Sequence, residues 1–315
     1  MKKIFLGFVL LGLFWVFSGL TATTMAAGYI FVDGASQSST EDGSEANPYK
    51  TIGSALAKAA VSPTSGRQIF IKKGTYPSGD LDLPTYTTLL GEDRNKVIID
   101  FSADDKASLT MRKRSTIEKL TVKGGNYSVI VQKKAKVTIK NVKITKSKRI
   151  GIWVRSGKNR TVYSTTIKDS FIEDNDGKGL YIEQTYLYFY NNSVLNNQEE
   201  GLDLRSKVKG KIYDSTFEDN GEGGMELEIR GVKLDVRNND FKSNEASGLM
   251  LNNRTNKGGK VSFKNNKFED NNHYGIRCGG TRSWSNQLWK KTFSFKNNDI
   301  NDNDKGDIDS ACANR

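Results

Sequence analysis

The sequence predicts an all-β chain wound as a single-stranded, right-handed parallel β-helix, a solenoid with a short N-terminal capping helix. Three observations predict it. First, the C-terminal half aligns on itself: IKDSFIEDNDGKGLYI from Ile167, FYNNSVLNNQEEGLDL from Phe189, IYDSTFEDNGEGGMEL from Ile212 and VRNNDFKSNEASGLML from Val236 are copies of one unit. Their glycines, with those of flanking copies, fall at Gly151, Gly179, Gly201, Gly224, Gly248 and Gly275. Second, apolar residues alternate inside each copy. Leu202 and Leu204 flank Asp203, and Met225 and Leu227 flank Glu226, which is the period of a strand. Third, Asn recurs at two bends of the unit: Asn192, Asn239, Asn266 and Asn298 at one, Asn175, Asn197, Asn220, Asn244 and Asn303 at the next. Three short strands per copy, separated by Asn, Gly and Asp turns, describe one coil. Coils stack at about 4.8 Å, the spacing of paired strands. The Asn columns are read as structural: Asn tolerates a left-handed backbone and pairs its amide with the next coil.

From the N-terminus, Met1, Lys2 and Lys3 precede an apolar run from Ile4 to Leu20 and a small-residue exit with Thr24 and Ala26. This is the three-part pattern of a signal peptide over residues 1–26. It implies a secreted, periplasmic or cell-surface protein with no membrane span after cleavage. Residues 27–66 are read as an N-terminal cap and 67–315 as coils. Within the cap, Thr51 is a good N-cap, and Ile52, Leu56 and Ala59 or Ala60 share one face of a helix. A solenoid must cover its open apolar end, and this helix is assigned to that. Ile69-Phe70-Ile71, Val97-Ile98-Ile99, Val129-Ile130-Val131 and Val137-Thr138-Ile139 read as strands of the earlier coils.

Charge is unevenly placed. Residues 111–160 hold 16 Lys or Arg and one acid, Glu118, whereas the chain on either side is balanced; the net charge of +12 comes from this segment. Lys is the polar half of an alternating strand, but 16 to 1 is more than that pattern requires. A focused positive patch attracts polyanions, and for an exported chain those are acidic polysaccharides rather than nucleic acid. The two cysteines, Cys278 and Cys312, are either buried thiols or a disulfide, worth about 3 kcal/mol in the chain-entropy model. Oligomeric state is not legible.

The run YIFVDGASQSSTEDGSEANPYKTIGSALAKA, continued by GRQIFIKKGTYPSGDLDLPTYTTLLGEDRNKVIID, resembles the N-terminal cap and first coils of the pectin-lyase-like superfamily. The repeats downstream look like the β-helix repeats of exported carbohydrate-active proteins. The resemblance implies a substrate groove along the first strand of each coil. No catalytic motif of those lyases, epimerases and hydrolases carries over.

The strand after each aligned Gly is the expected groove strand. Its outward residues, coil by coil, are Trp153, Tyr181, Asp203, Glu226, Met250 and Arg277, with Arg155, Glu183, Arg205, Glu228 and Asn252 two positions on. Aromatics suit pyranose faces, and Arg suits carboxylates. Substrate binding is therefore assigned to Trp153, Arg155, Tyr181, Glu183, Arg205, Glu228 and Arg277. Asp203 and Glu226 lie one coil apart, close enough to split their pKa values into an acid and a base or nucleophile; the competing reading is a charge ladder with Arg205. A lyase would instead use His273, Tyr274 and Arg277. Asp174-Asn175-Asp176-Gly177, Asp302 to Gly306, and the acids Glu41, Asp42 and Glu45 resemble parts of calcium loops but lack a full ligand set. Calcium thus stands as an open cofactor, with no metal ligand assigned. The function expected is binding, with or without cleavage, of an anionic polysaccharide; the alternative is a non-catalytic envelope or surface polyanion-binding protein.

Overall fold

The computed structural model describes residues 28–61, 66–155 and 163–312; the signal-peptide assignment at 1–26 lies outside them. The described chain is a solenoid of three parallel sheets. Sheet A has eleven strands, from Tyr29–Val32 to Phe293–Lys296. Sheet B has ten, from Gly74–Pro77 to Asp299–Asn301. Sheet C has ten, from Leu81–Leu83 to Gly306–Ile308. One coil is a strand in each: Lys209–Tyr213 in A, Thr216–Glu218 in B, Met225–Glu228 in C. The four early strands read from sequence are all present. Among the described residues no helix is long and apolar enough to cross a membrane.

Inward columns build the core. Phe217, Phe241 and Phe268 stack with ring centroids 4.8 Å apart and planes within 5°, repeating the rise between coils. The two bends are built from residue pairs. The first member is left-handed and faces solvent: Asp214 (φ 53°) and Asn238 (φ 53°) leave sheet A, Asn196 (φ 53°) and Asp219 (φ 54°) leave sheet B. The second is the buried ladder residue. The ladder asparagines are thus not themselves left-handed; that task falls to the residue before them, which frees the ladder amide to turn inward. The amide nitrogen of Asn220 donates to Asn244 Oδ1 at 3.0 Å and to the Val194 carbonyl at 3.1 Å, while the Asn220 backbone N–H donates to the same Asn244 oxygen at 3.2 Å. This ladder runs from Asn175 to Asn303 and includes Asn271, which the sequence columns omit. The other ladder alternates Ser170, Asn192, Ser215 and Asn239 before continuing through Asn266 to Asn298.

The aligned glycines follow from the second ladder. A Cβ on Gly201 would lie 2.8 Å from the Gly224 carbonyl and 2.9 Å from Asn220 Nδ2. The ladder fills the space a side chain would need, so steric exclusion, not backbone strain, places glycine there.

Helix α1 (Ile52–Ala60) covers the N-terminal end, with Thr51 accepting from the Ser54 N–H at 3.1 Å and Ile52, Ala55, Leu56 and Ala59 buried. Sheet A already begins inside the expected cap, because Tyr29–Val32 pairs with Arg67–Ile71. At the other end helix α2 (Asn286–Thr292) lays Trp289 on Phe295 at 5.6 Å, and Cys278 and Cys312 form a disulfide with Cα atoms 5.0 Å apart.

Asn220→Ala leaves the Asn197 donors without their acceptor in a dry core and should lower stability by about 3 kcal/mol. Asn196→Ala, one residue before a ladder position but exposed, should cost about 1 kcal/mol for the left-handed turn. Urea unfolding of the two variants checks this; equal losses would mean that the ladder carries no special stability.

Candidate functional site

Pairing in sheet C sets one column in register from Trp153 through Tyr181, Asp203, Glu226 and Met250 to Arg277. Arg155, Glu183, Arg205, Glu228 and Asn252 follow two positions on. Ile150, Lys178 and Glu200, each before an aligned glycine, make a third column headed by Tyr127, which ends before the buried Ser247. Strict alternation counted from the glycine misses these. Gly179 and Leu180 are both buried, so the period of two slips at the glycine.

The outward column is not open to water throughout. Asp203 has a fully buried side chain, and Glu226 is 8 % exposed. Arg205 covers both, with Nη2 2.6 Å from Asp203 and Nη1 2.7 Å from Glu226. Lys178 lies 3.2 Å from Asp203, 3.3 Å from Glu199 and in contact with Glu200. Asn252 donates to Glu226 at 2.5 Å. Glu200, Asp203 and Glu226 bring one oxygen each within 4.8 Å of one another. The charge-ladder reading is therefore present as contacts, but in a buried network rather than on a solvated face.

Electrostatics follow from that burial. Burial pushes the Asp203 carboxyl up to about 6, against the pull of Arg205 and Lys178. Burial also raises Glu226, helped by its hydrogen bond with Glu200; for Glu200 burial is outweighed by the bonds from Glu226 and Lys178, so its pKa is lowered. The hydrogen bond between them thus drives their titrations apart, Glu226 upward and Glu200 downward. Lys178 is held protonated despite its burial, by Asp203 and Glu200. The Tyr181 hydroxyl, donating to Glu183 at 2.9 Å, is pushed up to about 12 by burial and that carboxylate. Neither Lys178 nor Tyr181 is a proton acceptor at neutral pH.

Beside the network lies an aromatic platform. Trp153 and Tyr127 are 4.9 Å apart; Arg155 lies 5.0 Å over Trp153, Arg149 5.5 Å over Tyr127 and Arg205 5.6 Å over Tyr181. Glu228 is paired with Arg230 at 3.3 Å. Arg277 is exposed near His273, whose pKa is lowered by partial burial and by Lys305 and Arg277, leaving it neutral. The His273 cluster lies coils away from Asp203 and does not join it.

The basic segment is less bare than its composition implies. Arg112, Lys123, Lys143, Lys146 and Lys148 pair with Asp82, Asp100, Glu173, Asp174 and Asp105, all from outside residues 111–160. Lys133, Lys134 and Lys136 stay exposed on one turn; Lys158 and Arg160 lie outside the described residues. The loops that resemble calcium sites are turns. Asp174 pairs with Lys146, Asn175 belongs to the buried ladder, and Asp42 and Glu41 accept the N–H groups of Ser44 and Lys50. Among the three clustered carboxylates, Lys178 and Arg205 bind one oxygen each of Glu200, Asp203 and Glu226, while Asp203 Oδ1 is buried without a hydrogen-bond partner.

Comparison with known proteins places this geometry. A family model described as a right-handed beta helix region matches residues 107–257 and 161–315. No curated protein matches the chain. Among solved structures, a pectate lyase is 17 % identical at TM-score 0.63, over 91 % of this chain and 81 % of that one. An alginate lyase from a Paenibacillus species is 13 % identical at TM-score 0.58, over 84 % and 97 %. The A-module of an Azotobacter vinelandii mannuronan C-5 epimerase is 16 % identical at TM-score 0.54, over 81 % and 91 %. Identities this low show the fold.

Two measurements check the network. Arg205→Leu uncovers buried carboxylates and should cost about 3 kcal/mol at pH 8, shrinking toward pH 5, where both can be protonated; a cost independent of pH would overturn the assignment. Asp203, whose folded pKa is raised, favours folding below pH 4, and that contribution is lost as pH rises through about 6. Asp203→Asn should flatten this part of the stability profile, a change of about 3 kcal/mol.

Proposed function

The chain belongs to the right-handed β-helix family, and from that premise we propose that it is an exported protein that binds an anionic polysaccharide along the outer face of sheet C. The observation that carries the reading is the platform of Tyr127 and Trp153, each ring covered by a guanidinium, from Arg149 and Arg155. Rings offer a flat apolar surface to a pyranose, and the guanidinium beside each is placed to take a carboxylate bidentately. Tyr181 adds a ring one coil on, beside Arg205, whose guanidinium is held by Asp203 and Glu226. The exposed Lys133, Lys134 and Lys136 add charge on the turn after the strand of Tyr127. Export is supported by the N-terminal pattern and by the disulfide, which suits an oxidising compartment.

Cleavage is the second reading, favoured by one observation: carboxyl oxygens of Glu226 and Asp203 lie within 4.8 Å of each other, near the roughly 5 Å separation of a retaining hydrolase pair, and burial raises the pKa of both. In this reading the ligand's carboxylate takes Arg205 away from Asp203 and Glu226. Glu226 then protonates the leaving oxygen, and Asp203 attacks or stabilises the sugar cation. A lyase step would fall on neutral His273 as base with Arg277 on the uronate. The carboxylates of the network are already neutralised by Lys178 and Arg205, so binding is expected without calcium.

The test is retention on immobilised alginate and polygalacturonate against neutral dextran, with and without calcium, followed by product analysis. Retention on the acidic glycans that weakens with salt is expected. Trp153→Ala with Arg155→Ala should weaken it about tenfold, or 1.4 kcal/mol. No retention of the wild type on either glycan would refute binding. Chain shortening abolished by Glu226→Gln would establish hydrolysis, and new ultraviolet absorbance a lyase; neither signal leaves a binding protein.

A further inference from the structure

Where sheet B stacks charges between coils, opposite signs meet: Lys123 against Asp100, Lys143 against Glu173, Lys242 against Glu218. This is what in-register stacking demands, since like charges on adjacent strands destabilise a sheet. Sheet A departs from this, with Lys140 against Lys168 and a column of Arg237, Lys264 and Lys296, and one further column adjoins a hollow. Lys209, Lys233 and Lys260 occupy the same position of three successive strands. None of them has an ion-pair partner among the described residues. The carboxylate nearest in the lattice of the sheet, Asp235, is already taken by the Tyr213 hydroxyl at 2.5 Å and by Arg237 at 2.6 Å.

Tyrosines adjoin this column. Tyr186 heads it, with Lys209 Nζ 5.4 Å over its ring, and Tyr188 lies two residues on, stacked 6.4 Å from Tyr190. Together Tyr186, Tyr188, Lys209, Lys211, Lys233 and Lys260 line a shallow hollow of about 380 Å³. Its floor includes Gly210, where a Cβ would lie 1.8 Å from the Leu187 carbonyl oxygen, so no side chain can fill it.

We propose that this hollow on sheet A is a second binding face for an acidic polysaccharide, which lies along the solenoid axis with its anionic groups on Lys209, Lys233 and Lys260 and a sugar ring against Tyr186 and Tyr188. The lysines repeat at the inter-coil rise of about 4.8 Å, close to the length of one sugar in an extended chain, so successive uronates meet successive lysines. The ligand neutralises a like-charge column that the protein leaves uncompensated. The ligand class rests on the reading of sheet C; the location does not, because sheets A and C are different faces of the coil. Two faces would let one molecule hold two chains, or one chain at two points, with the gain of bivalency.

The test compares the full-length mature protein with a triple variant, Lys209→Glu, Lys233→Glu and Lys260→Glu, and with the Trp153→Ala, Arg155→Ala variant. Oligogalacturonate and oligoalginate titrations at low salt report affinity and stoichiometry, with a melting curve confirming each fold. A neutral triple variant to Gln replaces the Glu set if that set fails to fold. The expected result is two sites on the wild type, with about a tenfold loss confined to one of them in the triple variant. An unchanged titration would overturn the sheet A site while leaving sheet C untouched. Loss in the triple variant with none in the Trp153 and Arg155 variant would keep sheet A and overturn sheet C. Binding of the lysine column to vesicles containing phosphatidylglycerol, but to neither glycan, would also overturn the proposal, because it would make the face a membrane contact.

Discussion

Every feature of this molecule depends on parallel strands stacked in register, coil on coil. That arrangement places each residue about 4.8 Å from its counterpart in the next coil, so a column must hold residues that tolerate their own kind as neighbours. Phenylalanine does so by parallel stacking, as Phe217, Phe241 and Phe268 show. Asparagine does so because its amide donates on one side and accepts on the other, so Asn220 is satisfied by Asn244 ahead and bound by Asn197 behind. The glycine column is a consequence of the Asn ladder rather than an independent feature, since the ladder occupies the volume beside Gly201 and its equivalents.

Charges cannot tolerate themselves in this way, and the solenoid resolves them differently on different faces. On sheet B opposite signs meet between coils, whereas sheet A also carries like-charge columns. On sheet C the carboxylates of Asp203 and Glu226 stand directly against each other, and the conflict is met by the cations Arg205 and Lys178 and by raised pKa values of both carboxyls. Such a network holds carboxyl groups near neutrality in their titration. The platform of Tyr127 and Trp153 next to it is where the same face presents rings and guanidinium groups to a ligand.

Two outward columns of sheet C were legible before the structure. The column from Trp153 to Arg277 and its companion from Arg155 to Asn252 follow from counting outward from the glycine, and the cap of Thr51 and the helix after it follow from local chemistry. Lys178, Glu200 and Tyr127 were not found, because the alternation slips where Gly179 and Leu180 both turn inward. The glycine itself was the available signal: a residue that exists to make room for a ladder marks a bend, and a bend resets the strand's phase. The basic segment misled in the same sense. Its one acid, Glu118, is a count along the chain, whereas Asp82, Asp100, Asp105, Glu173 and Asp174 reach it from neighbouring coils.

The sequence by itself determined the repeat, the three strands per coil, most of the ladder positions and two of the three outward columns, because a strand's period and a turn's backbone requirement are properties of a few adjacent residues. Tertiary structure alone decided which charges meet. Lys178 reaches Glu200 and Asp203, and Arg205 reaches Glu226, across whole coils of unequal length, and Asp203 is buried by side chains from two of them. Charge pairing and burial act through space, so the residue that governs a carboxylate here is seldom its neighbour in the chain.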